Sequence, residues 1–224
     1  MHPARKRQLL REVLSVTHVI TASQLHKHGL SDVPGWLGLP SRVTTCKTRT
    51  TQPHSIVDLE FIALQDLWLN PEIPGQGLMH WAGLAELLLL EELLPSGRAE
   101  LVLNPGRGAG RKPDMLIWMP GDGRADTAVE FDAGYSDKVV RQKLTAAAAA
   151  GYRRMLWGCT VHARLGKIAR MADRLADLGQ LAGLSELDLR FTDVWTPGNP
   201  YVNRPRCHKP MRITRVYGTG TINS

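Results

Sequence analysis

From Glu100 onward the chain alternates short β-branched or aromatic runs with amphipathic helical stretches, and this alternation limits the fold more than any other feature. Strands are expected over residues 100–104, 115–119, 127–132, 153–160 and 187–194, with helices over 136–150 and 164–178. Strands that follow one another directly close as an antiparallel set, whereas a strand reached through a helix runs parallel to its predecessor. The expectation is therefore an α/β chain with one mixed sheet flanked by helices.

The first third reads differently. Leu9, Leu10, Val13 and Leu14 recur at helical spacing inside Ala4 to Val16, beside Arg5, Lys6, Arg7 and Arg11. Thr21-Ala22-Ser23-Gln24 has the form of a capping box, and Gly29 ends the short helix it opens. Two short helices suggest a helix-turn-helix, but Pro34, Gly35, Gly38 and Pro40 break the segment where a third, reading helix belongs. From Arg42 to Thr51 the chain is β-branched and basic, with Arg42, Lys47 and Arg49 placed as an extended wing that touches DNA or as a solvated hairpin. An apolar helix is expected over 54–69, a Pro- and Gly-rich linker over 70–77, and a buried helix over 81–94. This organisation gives a small winged-helix-like DNA-binding module over 1–70, an α/β domain over 78–194 and a basic, extended or disordered tail over 195–224.

Charge points to a polyanion. Lys and Arg number 28 against 21 Asp and Glu, giving +7 and a pI near 9.6, and both ends of the chain are basic. Only residues 53–103 are acidic, and they supply a docking surface if the chain instead acts as an adaptor for protein partners. Cys46, Cys159 and Cys207 are odd in number and far apart, so neither a disulfide framework nor a zinc knuckle is expected. The apolar run Leu84–Leu94 is too short for a bilayer and holds three glutamates, and no secretory signal is visible, so a cytoplasmic, non-membrane protein is expected.

The chemistry-bearing residues are carboxylates. Asp114 opens one strand, and Glu130 and Asp132, two apart on the next, share a face of the pleat. Clustered acids repel one another unless a cation compensates, which points to a metal site, with Mg²⁺ the natural occupant of an oxygen-only set. Lys143 falls on the apolar stripe of its helix, with Val139, Val140, Leu144 and Ala147, where a lysine must snorkel or pair with Glu130 or Asp132.

Lys112-Pro113-Asp114, then Val129-Glu130-Phe131-Asp132-Ala133-Gly134, then Arg141-Gln142-Lys143-Leu144 resemble the PD-(D/E)xK nuclease-like superfamily. Within it, the chain resembles the replication-relaxation proteins of plasmids and mobile elements, which join a winged helix to such a domain. That resemblance implies a PD-(D/E)xK nuclease-like mixed sheet flanked by helices and built for DNA, with Asp114 and Glu130 at the metal-binding positions. The superfamily lysine expected two residues after Glu130 is Asp132 here. Asp114, Glu130, Asp132 and Lys143 are accordingly the candidate catalytic set, with Lys143 able to take over the missing lysine's role from the adjacent helix. An active site of this kind makes the chain a Mg²⁺-dependent endonuclease or nickase; an inactive one leaves a DNA-binding protein of plasmid, phage or mobile-element type.

Two more basic features suit a DNA backbone, or equally a plain hairpin connection and a solvated helix face. Arg107, Arg111 and Lys112 lie in a glycine-rich loop that matches neither a dinucleotide fingerprint nor a P-loop. Lys167, Arg170 and Arg174 form a basic edge beside the apolar stripe of the 164–178 helix, with Asp173 and Asp177 close by.

Overall fold

The computed structural model describes residues 1–48, 56–91, 98–102, 112–118, 125–132, 134–196 and 212–217. Arg49, Arg107, Arg111, Cys207 and most of the glycine-rich loop and of the tail lie outside these ranges. The chain divides into two units, Met1–Pro95 with Thr192–His208, and Ser96–Phe191 with Lys209–Ser224.

In the first unit, helix α1 (Pro3–Thr17) is opened by His2, whose side chain accepts from the Ala4 N–H, and buries Leu10, Val13 and Leu14. It stops at His18, whose backbone is left-handed (φ +69°); the ring stacks on Trp68 with centroids 3.7 Å apart. Strand β1 (Val19–Thr21) leads into α2 (Ala22–Lys27), where both halves of the expected capping box between Thr21 and Gln24 are formed. Then come α3 (Val33–Leu37), β2 (Ser41–Lys47) and β3 (Ile56–Ala63). The three strands form an antiparallel sheet in the order β1-β3-β2.

The helix expected over 54–69 is instead β3 followed by a single 3₁₀ turn, Asp66–Leu69. Ile56, Val57, Phe61 and Ile62 favour the pleat, and pairing on both sides with β1 and β2 overrides the apolar run. The expected linker is corrected as well. Helix α4 (Gly75–Glu91) starts inside it, because Gly75 lets the helix touch β2. A Cβ there would sit 2.8 Å from the Thr45 carbonyl oxygen and 2.9 Å from Cys46 Sγ.

Ala85 and Leu89 of α4 join Leu10, Val13, Ile20, Leu25 and Ile62 in one core, so α4 belongs with the N-terminal module and not with the following domain. Its Glu86 is 1% exposed and is held by Gln24 (3.0 Å), Lys27 (3.0 Å) and His28 (3.2 Å) of the α2 region. Burial alone would raise that carboxyl's pKa; the bonds from His28, Lys27 and Gln24 outweigh it and hold the pKa below the ordinary value.

The second unit carries one six-stranded sheet, β4 (Arg98–Leu101), β5 (Met115–Trp118), β6 (Thr127–Asp132), β7 (Arg154–Cys159), β8 (Glu186–Phe191) and β9 (Arg212–Val216), adjacent in that order. Strands β4 to β6 are antiparallel, and β6, β7 and β8 are parallel. Helices α5 (Asp137–Ala149) and α6 (His162–Asp177) make the two crossovers and pack on each other. The mixed α/β sheet is therefore as expected. The last strand is not: Arg212–Val216, read as part of a loose tail, pairs antiparallel with β8. Charge rather than apolarity fixes it there. Arg212 meets the fully buried Asp188 with both Nε (2.9 Å) and Nη2 (2.8 Å), and Arg215 meets Asp173 of α6 at 2.9 Å. Among the described residues, no helix is long and apolar enough to cross a membrane.

Candidate functional site

The register of β5 against β6 pairs Met115 with Val129, which sets Asp114, one residue earlier, across from Glu130 on the same face. Helix α5 covers that face and delivers Lys143 to both acids. Lys143 Nζ lies 2.6 Å from Glu130 Oε2, 2.8 Å from Glu130 Oε1 and 3.5 Å from Asp114 Oδ1, and it also donates to the Lys112 carbonyl at 3.0 Å. Of the two outcomes open to a lysine on the apolar stripe, it pairs, with Glu130 rather than Asp132, and it is only 6% exposed.

Asp114 is oriented from two further directions. The Phe131 N–H donates to Oδ2 at 2.9 Å, and the Tyr135 hydroxyl donates to the same oxygen at 3.2 Å. Tyr135 in turn packs edge-on against Trp157 and places its ring 5.2 Å from Lys143 Nζ, a cation–π distance. Burial, then the Asp114 charge, pushes the Tyr135 phenol far up, so it remains a donor. Burial and the neighbouring Asp114 likewise raise Glu130 well above the ordinary carboxyl range, with Lys143 pulling the other way. The two acids and the lysine form one close triad.

Asp132 does not join this triad. It is fully buried, accepts the N–H groups of Gly134 (2.8 Å) and Tyr135 (2.6 Å), and binds Arg164 Nε of α6 at 2.6 Å. Arg164 also donates to the Tyr135 carbonyl. The expected convergence of three acids therefore resolves into two acids facing Lys143 and a third that fastens the turn into α5. The positive φ of Gly134 (+130°) folds that turn back and carries Tyr135 into the site. Tyr135 and Arg164 escape sequence reasoning: only the position of Tyr135 just after the Glu-Phe-Asp run hints at it.

Two carboxylates suit a hard divalent cation, which takes one or two acids and keeps waters. Asp114 and Glu130 would be its ligands, but the space between them is held by the Lys143 ammonium, and a metal there must compete with it. Among the described residues, no group of three or more His, Cys, Asp or Glu could hold a metal ion.

The candidate DNA contacts separate just as clearly. Arg42 turns inward and donates to the carbonyls of Leu69 (3.2 Å), Asn70 (2.6 Å) and Ile73 (3.4 Å), so it acts as a brace of the first unit. Lys47 is exposed at the end of β2, whose neighbouring strand presents Asp58 and Glu60 to solvent. Arg7 is exposed on α1, with Arg5 and Lys6 half-buried beside it. Lys112 is exposed next to Asp114. Lys167 pairs with Asp137 at 2.7 Å, and Arg170 and Arg174 open onto a groove between α5 and α6. No family model, curated protein or solved structure matches this chain.

Proposed function

We propose that the chain is a DNA-binding protein of plasmid, phage or mobile-element type, acting in DNA replication or relaxation through a PD-(D/E)xK nuclease-like domain. The observation that carries this reading is the meeting of Asp114 and Glu130, from neighbouring strands, with Lys143 of the crossover helix. A buried pair of acids and a lysine on one face of a mixed sheet is a costly arrangement for a scaffold. Supporting it, the first unit runs α-β-α-α-β-β with sheet order β1-β3-β2, the connectivity of a winged helix. Its α3 spans only Val33–Leu37, roughly 7 Å of helix, too short to lie along a major groove, so contact from this unit falls to α1 and the β2–β3 hairpin.

A second reading, metal-dependent cleavage, is favoured by the Asp114 carboxylate, whose side chain keeps 9% exposure and stays in reach of solvent beside exposed Lys112. A divalent ion bound by Asp114 and Glu130 would polarise a phosphate oxygen and lower the pKa of a bound water. The chain's own part is then defined. Tyr135 and the Phe131 N–H hold Asp114 in one orientation, and Lys143 would supply a positive charge beside the phosphate. Hydrolysis would join the water oxygen to phosphorus, break the bond to the bridging oxygen and pass one water proton to that leaving oxygen.

Supercoiled plasmid incubated with the protein and Mg²⁺ or Mn²⁺, beside Asp114→Asn and Glu130→Gln, tests cleavage. Nicking lost in both variants supports it, and intact plasmid under every metal removes it. DNA binding is tested by a mobility-shift titration at rising salt. Affinity should fall steeply, and indifference to salt refutes the binding reading.

A further inference from the structure

Between α5 and α6 lies a groove of about 590 Å³ whose rim is basic and whose floor is aliphatic. Arg141 of α5 and Lys167, Arg170 and Arg174 of α6 form the rim; Met171, Leu175 and Leu178 form the floor, and Leu178 is 70% exposed. Asp137 lies on the same rim and pairs with Lys167 at 2.7 Å, Asp177 is exposed three residues after Arg174, and Asp173 is bound to Arg215 of β9, so three rim arginines face at most two acids. The side chains of Arg141, Arg170 and Arg174 have no hydrogen-bond or ion-pair partner among the described residues. Three guanidinium groups converging on one depression repel one another, so the arrangement is stabilised by an anionic partner.

We infer that this groove binds single-stranded nucleic acid, with backbone phosphates on Arg141, Arg170 and Arg174 and an unpaired base against the Met171–Leu178 floor. The inference rests on the nucleic-acid reading above and deepens it by naming the form of the polymer. Lys167 and Arg174 are seven residues apart on α6, about 10 Å along the axis, a reach that takes in two or three phosphates of one strand. Guanidinium forks match phosphate and also stack on base faces, which suits arginine rather than lysine at three of the four rim positions. The floor decides between the two forms of DNA. A duplex turns phosphates and sugars outward and offers an exposed leucine nothing apolar, whereas a single strand exposes base faces. An acidic peptide would satisfy the charges too, but a chain of net +7 with an arginine-built rim favours a phosphate polymer.

The test is fluorescence anisotropy of the full chain in EDTA, with a labelled 12-nucleotide oligothymidine, a blunt duplex of the same length, and poly-glutamate as competitor. The oligothymidine should bind more tightly than the duplex. The Arg141→Ala/Arg170→Ala/Arg174→Ala triple variant should weaken it at least about tenfold and flatten the log–log salt slope by about 2 units, the value for three phosphate contacts on a single strand. Leu178→Ser should weaken the single strand and leave the duplex unchanged. All four positions are exposed, and unaltered thermal melts confirm that each variant folds.

Duplex binding as tight as single-strand binding, an unchanged triple variant, or poly-glutamate competing equally at matched charge overturns the inference, the last in favour of an acidic protein partner. If the parent binds DNA and the triple variant binds equally well, the groove alone fails; if the parent binds neither DNA form, the broader reading fails with it.

Discussion

Replacing Lys143 with methionine isolates what the buried cation does. The substitution keeps the length of the side chain and removes the charge that lies 2.6 and 2.8 Å from the two Glu130 oxygens and 3.5 Å from Asp114. At an effective dielectric near 20 the gross attraction across about 2.7 Å is about 6 kcal/mol, and desolvation of the ammonium and the carboxylate offsets most of it. Removing one partner alone is a different quantity, because it leaves a buried acid uncompensated at a cost of about 3–5 kcal/mol. That cost depends on pH. The Glu130 carboxyl already titrates well above its ordinary value, and without Lys143 it rises further. A group whose pKa is raised by folding supplies stability below its unfolded pKa, about 4.3, and loses it as pH climbs toward the folded value.

Urea denaturation at pH 5 and pH 8 should therefore show Lys143→Met losing about 4 kcal/mol at pH 8 and about 1 kcal/mol at pH 5, where a proton on Glu130 replaces the cation. Lys143→Met/Glu130→Gln should recover more than about 2 kcal/mol of the loss at pH 8. A penalty that does not change with pH, or a double variant that is merely additive, would refute the triad as described.

Glu130→Gln alone removes the titrating carboxyl, so it should flatten the fall in stability above pH 5; a stability curve parallel to the parent's would contradict the raised pKa. Arg164→Gln leaves the fully buried Asp132 with only its two backbone donors and should cost about 3 kcal/mol in a urea melt, with a loss under about 1 kcal/mol speaking against the turn-fastening role. Gly75→Ala should cost about 1–3 kcal/mol, since its methyl meets the Thr45 carbonyl oxygen at 2.8 Å, and a neutral result in thermal melts would deny the close approach of α4 to β2. Burial pushes the thiol of Cys46 to about 11 and that of Cys159 to about 12, so in a Cys207→Ser background neither should react with a disulfide reagent at pH 8 until urea unfolds the chain; prompt native labelling would contradict their burial.

The second unit was the legible half of the sequence. Its strands alternate or run apolar over short spans and its helices keep a 3.6-residue stripe, so local pattern and tertiary structure agree from Met115 to Phe191. Lys143 announced the site because a cation on an apolar stripe has to be compensated. In the first unit, Leu59, Phe61 and Ala63 do alternate toward the core, but Ile56, Val57 and Ile62 fill the gaps and disguise the strand as a helix. Gly75 looked like a linker because a glycine needed for close packing and one in a loose turn are the same letter. What local pattern could not supply were partners distant along the chain. Arg164 comes 32 residues after Asp132, and β9 is placed by an aspartate 24 residues before Arg212, so neither pairing leaves a periodic trace.

The first unit also depends on chain made late in translation. Thr21 donates to the Val194 carbonyl at 2.5 Å, Ser23 donates to the Trp195 carbonyl at 3.0 Å, and Lys27 donates to the Asp193 carbonyl. At 5–20 residues per second, the ribosome takes roughly 5–20 s to travel from the end of α4 to that clasp. During that interval the nascent N-terminal unit has its helices and its core but three open donors, a window in which a chaperone or a second nascent chain can reach them first.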